Sequence, residues 1–168
     1  FSQDRTGLAD FALESGGQKQ NQVLMFWGVG LRSLSLTCPD VHPGSCWAFK
    51  GSAGVLVLRL SRRILPTSFS LEHLPKALAP SGGRLSSAPR DFSVYVSQRD
   101  HGRFLLGSFT YDEAGEALQT FRVLVILVCL FINVLSNWGH QDYTCLYRFR
   151  AHGTLYVFRR KHILVTTL

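Results

Sequence analysis

From Gly54 to His152 the chain is divided into short runs in which apolar and polar residues alternate, each bounded by Gly, Pro, Ser or Asp. None of them carries the 3.6-residue apolar period of a helix, so the side chains must be sorted onto the two faces of strands. The composition agrees with this. A hydrophobic fraction of 46% with 17% charged residues excludes intrinsic disorder, and 15 Gly and 6 Pro among many Val, Leu, Phe and Ser disfavour a helical bundle. At 168 residues the chain suits one domain able to bury roughly 70% of its unfolded surface. The expected fold is all-β, an antiparallel β-sandwich of jelly-roll type.

The individual runs give the expected strands. Gly54–Leu60 reads as a core strand ended by Ser61-Arg62-Arg63, and Thr67–His73 as a second strand with Phe69, Leu71 and His73 on one face. Asp91–Val96 places Phe92, Val94 and Val96 together. Phe104–Tyr111 and Glu116–Phe121 flank the turn residues Asp112-Glu113-Ala114-Gly115 and predict a hairpin. Pro75 to Pro89, rich in Pro, Ser and Gly, predicts an irregular loop. The last strand, Tyr143–His152, turns Tyr143, Cys145, Tyr147 and Phe149 one way and Thr144, Leu146, Arg148 and Arg150 the other.

Several functional classes are weighed and set aside. The 18 Lys+Arg exceed the 11 Asp+Glu, with clusters at Arg62-Arg63, Arg148/Arg150 and Arg159-Arg160-Lys161-His162. Tyr147, Phe149, Tyr156 and Phe158 interleave with the last two, but this alternation is read as a half-solvated strand rather than a nucleic-acid stripe. The apolar run Val123–Ile132 is far short of the roughly 20 residues of a membrane-spanning helix and predicts a buried strand. The chain begins at Phe1, carries no readable signal peptide, and is read as part of a longer protein. Its four cysteines, Cys38, Cys46, Cys129 and Cys145, form no Cys-x-x-Cys pair, which argues against structural zinc, and they leave three full disulfide connectivities open. Cys129, inside the apolar run, reads as a small buried hydrophobe. Ser87, His73 and Asp91 are the residue types of a hydrolase triad, but without a Gly-x-Ser-x-Gly elbow no enzyme is expected.

Six segments, in order and spacing, resemble the SUN domain of inner-nuclear-membrane proteins. They are Asp10-Phe11-Ala12-Leu13-Glu14-Ser15-Gly16-Gly17, Pro39 to Phe49 with Pro43-Gly44-Ser45-Cys46-Trp47, Thr67 to Lys76 with Leu71-Glu72-His73, Ser86 to Phe92, Leu106 to Asp112, and Asn137-Trp138-Gly139-His140 followed by Tyr143 to Arg150. The resemblance covers about Gly7 to Gly153. It implies that residues 1–6 end an upstream coiled-coil or linker region, that 7–153 form the SUN domain, and that 154–168 are a tail without family counterpart. It also implies a domain in the perinuclear space that trimerises on the upstream coiled coil. Its implied partner is the C-terminal tail of a KASH-domain protein, and the complex links nucleus to cytoskeleton.

The resemblance further assigns residues. It selects a Cys46–Cys145 disulfide, in keeping with an oxidising lumen. It implies a monovalent cation, such as potassium, held by backbone carbonyls at Ser35, Cys38, Asp40 and Ser45 with Tyr147 closing the site, and no organic cofactor. It places the pocket for the partner's terminal carboxylate at His73, Ser87, Tyr143 and Tyr147, where hydroxyls and an imidazole could donate while aromatic rings cover apolar residues. Val23 to Leu31 resembles the family's lid hairpin, shortened to the span Gln18–Cys38. Phe131 and Asn133 stand where relatives carry charges. The alternative reading, a carbohydrate-binding jelly roll, rests on the sandwich shape, with exposed aromatics and a cation loop fitting it loosely.

Overall fold

One long strand organises the molecule. The computed structural model describes residues 6–12, 23–26, 41–79, 82–98, 102–123 and 127–155. Its strands are β1 (Val23–Phe26), β2 (Trp47–Lys50), β3 (Gly54–Glu72), β4 (Asp91–Gln98), β5 (Gly102–Thr110), β6 (Leu118–Arg122), β7 (Leu127–Val134), β8 (Tyr143–Leu146) and β9 (Arg148–Leu155). All their pairings are antiparallel. A 3-10 turn at Lys76–Leu78 interrupts the loop predicted between Pro75 and Pro89.

β3 runs for 19 residues and joins the two strands expected separately at Gly54–Leu60 and Thr67–His73. Ser61-Arg62-Arg63 does not end it, because these residues contain neither the Gly nor the Pro that would force a turn. Register shifts between Arg59 and Ile64 and between Pro66 and Ser68 absorb the irregularity, so Pro66 sits where the ladder is already offset. The first half of β3 lies between β1 and β7, and that layer continues through β4 to β5. The second half lies between β9 and β6.

The residues around Asp112–Gly115 form the predicted turn, with Gly115 N donating to the Asp112 carbonyl at 3.2 Å and Ala114 N to Asp112 Oδ1 at 2.8 Å. The arms do not form the predicted hairpin: β5 pairs with β4, and β6 pairs with β3. The chain changes layer at this turn, which brings Phe121 of β6 against Phe92 of β4 and Phe109 of β5, both at 5.2 Å between ring centroids. The arms thus meet through side chains across the sandwich. Leu56, Leu58, Phe69, Phe92, Val94, Leu130, Ile132 and Phe149 complete the core.

The apolar run supplies β7, which is central, with Leu130, Ile132 and Val134 buried. The backbone of Cys129 pairs opposite Arg59 and Ser97, while its side chain lies outside the described residues. On the other face of β7, Phe131 and Asn133 are half-buried, and the Arg103 guanidinium lies 4.3 Å above the Phe131 ring. That contact supplies an apolar ring with a cationic cover. Of the lid-like segment, Val23–Phe26 forms β1 at the edge of the main sheet, and its remainder lies outside the described residues.

The predicted last strand is broken at Tyr147 into β8, which pairs with β2 as a separate ribbon, and β9, which pairs with β3. Arg148 and Arg150 are 3% and 1% exposed, which corrects the half-solvated reading of their strand. Arg150 Nη2 forms a buried ion pair with Glu72 Oε2, and Arg148 Nη2 lies 3.4 Å from Asp10 Oδ2. The His152 ring bonds the Ser70 hydroxyl at 2.8 Å. What covers this polar face is the segment Ala9–Ala12, which runs along β9 as a strap. Phe11 N donates to the Ala151 carbonyl at 2.9 Å, Ala151 N donates to Asp10 Oδ1 at 3.2 Å, and His152 Nδ1 lies 3.0 Å from the Ala9 carbonyl.

Candidate functional site

The site is assembled around β8. β3 ends at Glu72, and the next residue, His73, is fixed by its backbone N–H to the Ala117 carbonyl at 3.0 Å. Its ring is buried edge-on against Tyr147, with centroids 4.7 Å apart, and faces Tyr111 at 6.4 Å. Among the described residues, neither ring nitrogen has a partner in hydrogen-bond geometry. Burial pulls the His73 pKa down to about 4, the Leu74 backbone opposing it. Tyr147 sits in the break between β8 and β9. Burial raises its pKa, a contact with the Gly44 backbone opposes this, and the nearby Tyr143 adds to the rise.

Stability should follow the His73 proton. Between about 6.5 and about 4 the unfolded chain binds a proton at this ring that the folded chain refuses. The stabilisation is therefore present above that window and is lost as pH falls through it, by up to about 3 kcal/mol. Urea midpoints measured across this range should fall steeply on the acid side, and His73→Leu should flatten that slope. An unchanged slope would place the acid sensitivity elsewhere.

The residues expected to form a peptide pocket do come together. The Ser87 carbonyl accepts from Cys145 N at 2.8 Å, Cys145 lies in β8 between Tyr143 and Tyr147, and Tyr147 packs on His73. Tyr143 is 40% exposed and Ser87 half-buried, whereas His73 and Tyr147 are 3% and 6% exposed. Exposure thus separates an accessible pair, Tyr143 and Ser87, called the rim below, from a buried pair, His73 and Tyr147, called the floor. Cys46 and Cys145 are joined by a disulfide with their Cα atoms 5.6 Å apart, packed with Leu74, Tyr147 and Val41 beside that floor.

Of the cation ligands expected, Ser35, Cys38 and Asp40 lie outside the described residues. Ser45 is held in a tight turn by its N–H to the His42 carbonyl at 3.0 Å, with Gly44 at a φ of 82° that disfavours other residues. Tyr147 reaches this same turn through Gly44. The hydrolase-like trio is not joined: Asp91 accepts from Ser136 Oγ at 2.7 Å and Thr110 Oγ1 at 2.9 Å, and these bonds lower its pKa. His73, which would have to relay a proton to it, packs against aromatic rings instead.

Sequence reasoning missed the organiser of the rim, Asn137. Its Nδ2 donates to the His140 carbonyl at 2.9 Å, to Thr144 Oγ1 at 3.0 Å and to the Tyr143 carbonyl at 3.3 Å, and its Oδ1 accepts from Gly139 N at 3.0 Å. Thr144, fully buried, donates its own hydroxyl hydrogen bond to the Gly51 carbonyl at 2.8 Å. The available signal was the Asn-x-Gly sequence itself, since Asn bonds the backbone two residues on and Gly139 adopts a φ of 109°.

The family model described as Sad1/UNC-like C-terminal matches residues 32–155, spanning both halves of this site and extending two residues past Gly153. The chain belongs to that family. It is 45% identical to human SUN domain-containing protein 1 over 91% of this chain and 22% of that protein. It is 41% identical to bovine SUN domain-containing protein 3 over 90% and 48%, and 38% identical to the Drosophila melanogaster Klaroid protein over 91% and 18%. The chain thus spans less than half the length of these relatives. Among solved structures, the family 32 carbohydrate-binding module of Streptococcus pneumoniae EndoD superposes with a TM-score of 0.68 at 12% identity, over 86% of this chain and 99% of the module. The family 32 module of Clostridium perfringens NanJ, solved with galactose, gives 0.55 at 11%, over 79% and 91%. At such identities the likeness shows the jelly-roll fold alone. No helix among the described residues is long and apolar enough to cross a membrane.

Proposed function

We propose that this SUN domain is a non-enzymatic interaction module that captures the C-terminal tail of a KASH-domain protein, in the perinuclear space, as part of the complex that links nucleus to cytoskeleton. The observation that supports it is the pairing of Ser87 with β8, the strand that carries the exposed Tyr143 and leads into the buried Tyr147 packed on His73, in a chain of this family. The rim offers hydroxyl donors to a terminal carboxylate, and the phenol ring offers a face to apolar residues. The same reading carries a homotrimer built on an upstream coiled coil, anchorage in the inner nuclear membrane by segments outside this chain, and a potassium ion held by the backbone of Ser35, Cys38, Asp40 and Ser45 beside Tyr147.

A pull-down with a KASH C-terminal peptide tests the carboxylate pocket, set against the same peptide carrying one more C-terminal residue. The extended peptide should be retained at least about tenfold less, the loss of a charge-assisted hydrogen bond. Equal retention of both would overturn the pocket. Retention of glycans in place of either peptide would favour the carbohydrate-binding alternative.

A further inference from the structure

The loop Asn137–Tyr143 holds a titratable group in a role that depends on its protonation. His140 Nδ1 faces two backbone donors, Asp142 N and Tyr143 N, each at 3.3 Å. A ring nitrogen can accept from them only through its lone pair, so the proton of the neutral ring must sit on Nε2. The ring centroid is also 4.0 Å from that of Tyr143. One imidazole therefore fixes both the backbone that carries Tyr143 and the phenol ring itself. A second proton would turn Nδ1 into a donor pointed at two donors.

We propose that His140, seated by Asn137, is a positioning residue for Tyr143, holding it at the rim when the ring is neutral and releasing it when the ring is protonated. The effect stays local because the remaining anchors of the loop do not titrate. His140 N donates to the Ser86 carbonyl at 3.0 Å, Gly51 N donates to the Asp142 carbonyl at 2.8 Å, and Asn137 holds the His140 and Tyr143 carbonyls. The charged groups on adjoining elements are Asp142 in the same loop and Lys50, opposite Tyr143 on β2. Arg90, on the neighbouring segment, is taken up by Asp91 and by the face of Trp138. His73 does not contribute at mildly acidic pH, since its pKa of about 4 keeps it neutral.

The proposal rests on the peptide-binding reading for its functional half only, and the test separates the two. The 168-residue chain and two variants, His140→Asn and His140→Phe, are compared at about pH 7.5 and about pH 5.5, a span over which imidazole changes charge. Asn keeps an acceptor oxygen at the place of Nδ1 without titrating, and Phe keeps a ring without an acceptor. Nitrogen-15 NMR of His140 and of the Asp142 and Tyr143 amides is read alongside affinity for the KASH-tail peptide. The native chain should show an unprotonated Nδ1 at the higher pH. Its amide shifts should move and its affinity fall about five- to tenfold at the lower pH, the scale of two lost hydrogen bonds. His140→Asn should bind alike at both, within about twofold, and His140→Phe should already be weak at the higher pH. An Nδ1 found protonated at the higher pH, or an identical pH dependence in the native chain and His140→Asn, would overturn the proposal. If no form binds peptide at either pH, the pocket reading fails while the NMR still decides whether His140 holds Tyr143 in place.

Discussion

Cys145→Ser should lower the stability of the domain by about 4 kcal/mol, and a reducing agent should bring the native chain to the same value. The bridge spans 99 residues, from the residue before β2 to the middle of β8. Closing a loop of about that size removes roughly 4 to 5 kcal/mol of chain entropy from the unfolded state in the simple model, with measured effects of about 2 to 5. The structure adds a local reason for the effect to be large. β2 and β8 pair over four residues only and form a ribbon apart from the main sheet, and two-stranded ribbons are marginal by themselves. Denaturant unfolding with and without reductant reads the difference through the midpoint and its slope. A loss below about 1 kcal/mol would mean that the ribbon is held by Trp47, Phe49 and Leu146 packing into the core, and that the bridge is incidental to it.

A second large effect is expected inside the sandwich. Glu72→Ala removes a counter-charge from Arg150, whose guanidinium stays in an interior where it is 1% exposed. Breaking one side of a buried ion pair costs about 3 to 5 kcal/mol, because desolvation of the remaining charge is no longer offset. That is a third or more of the total stability of many domains. Replacing both residues, Glu72→Leu with Arg150→Leu, should recover most of the loss, since both charges then leave the interior together. If the double variant is as unstable as the single one, the polar layer is needed for packing rather than for charge balance. The pair also touches the proposed site, because Tyr111, whose pKa is raised chiefly by burial and then by the charge of Glu72, faces His73.

How much of this can be read from the residues alone depends on what each pattern encodes. Period two correctly places Phe92, Val94 and Val96 on a buried face, and the shortness of the apolar run predicts the buried strand that became β7. Period two tells which residues share a face but not what lies against that face. Arg148 and Arg150 therefore read as solvated, although their carboxylate partners Asp10 and Glu72 stand 138 and 78 residues away. The same limit explains the hairpin expected around Asp112–Gly115: the turn chemistry is local and correct, but whether its two arms pair or separate into different layers is decided by β4 and β3. The proposed pocket residues come only from resemblance. His73, taken alone, has the burial and lack of partners of a core histidine, and Asn137 announces a turn without revealing which side chains that turn supports.

The strap along β9 also sets a timetable. Its contacts join residues 9–11 to residues 148–152, separations of 138 to 143 residues for the side-chain bonds. The first-made part of the domain must wait for nearly the last-made part before either finds its partner, a topology that slows folding and leaves edges uncovered meanwhile. During synthesis Asp10 emerges early with its guanidinium partner still to be translated, and β3 acquires a neighbour along its second half on that side only with β9. A chain stalled before Arg148 would present an open sheet edge and a lone acidic strap, the state a chaperone would meet.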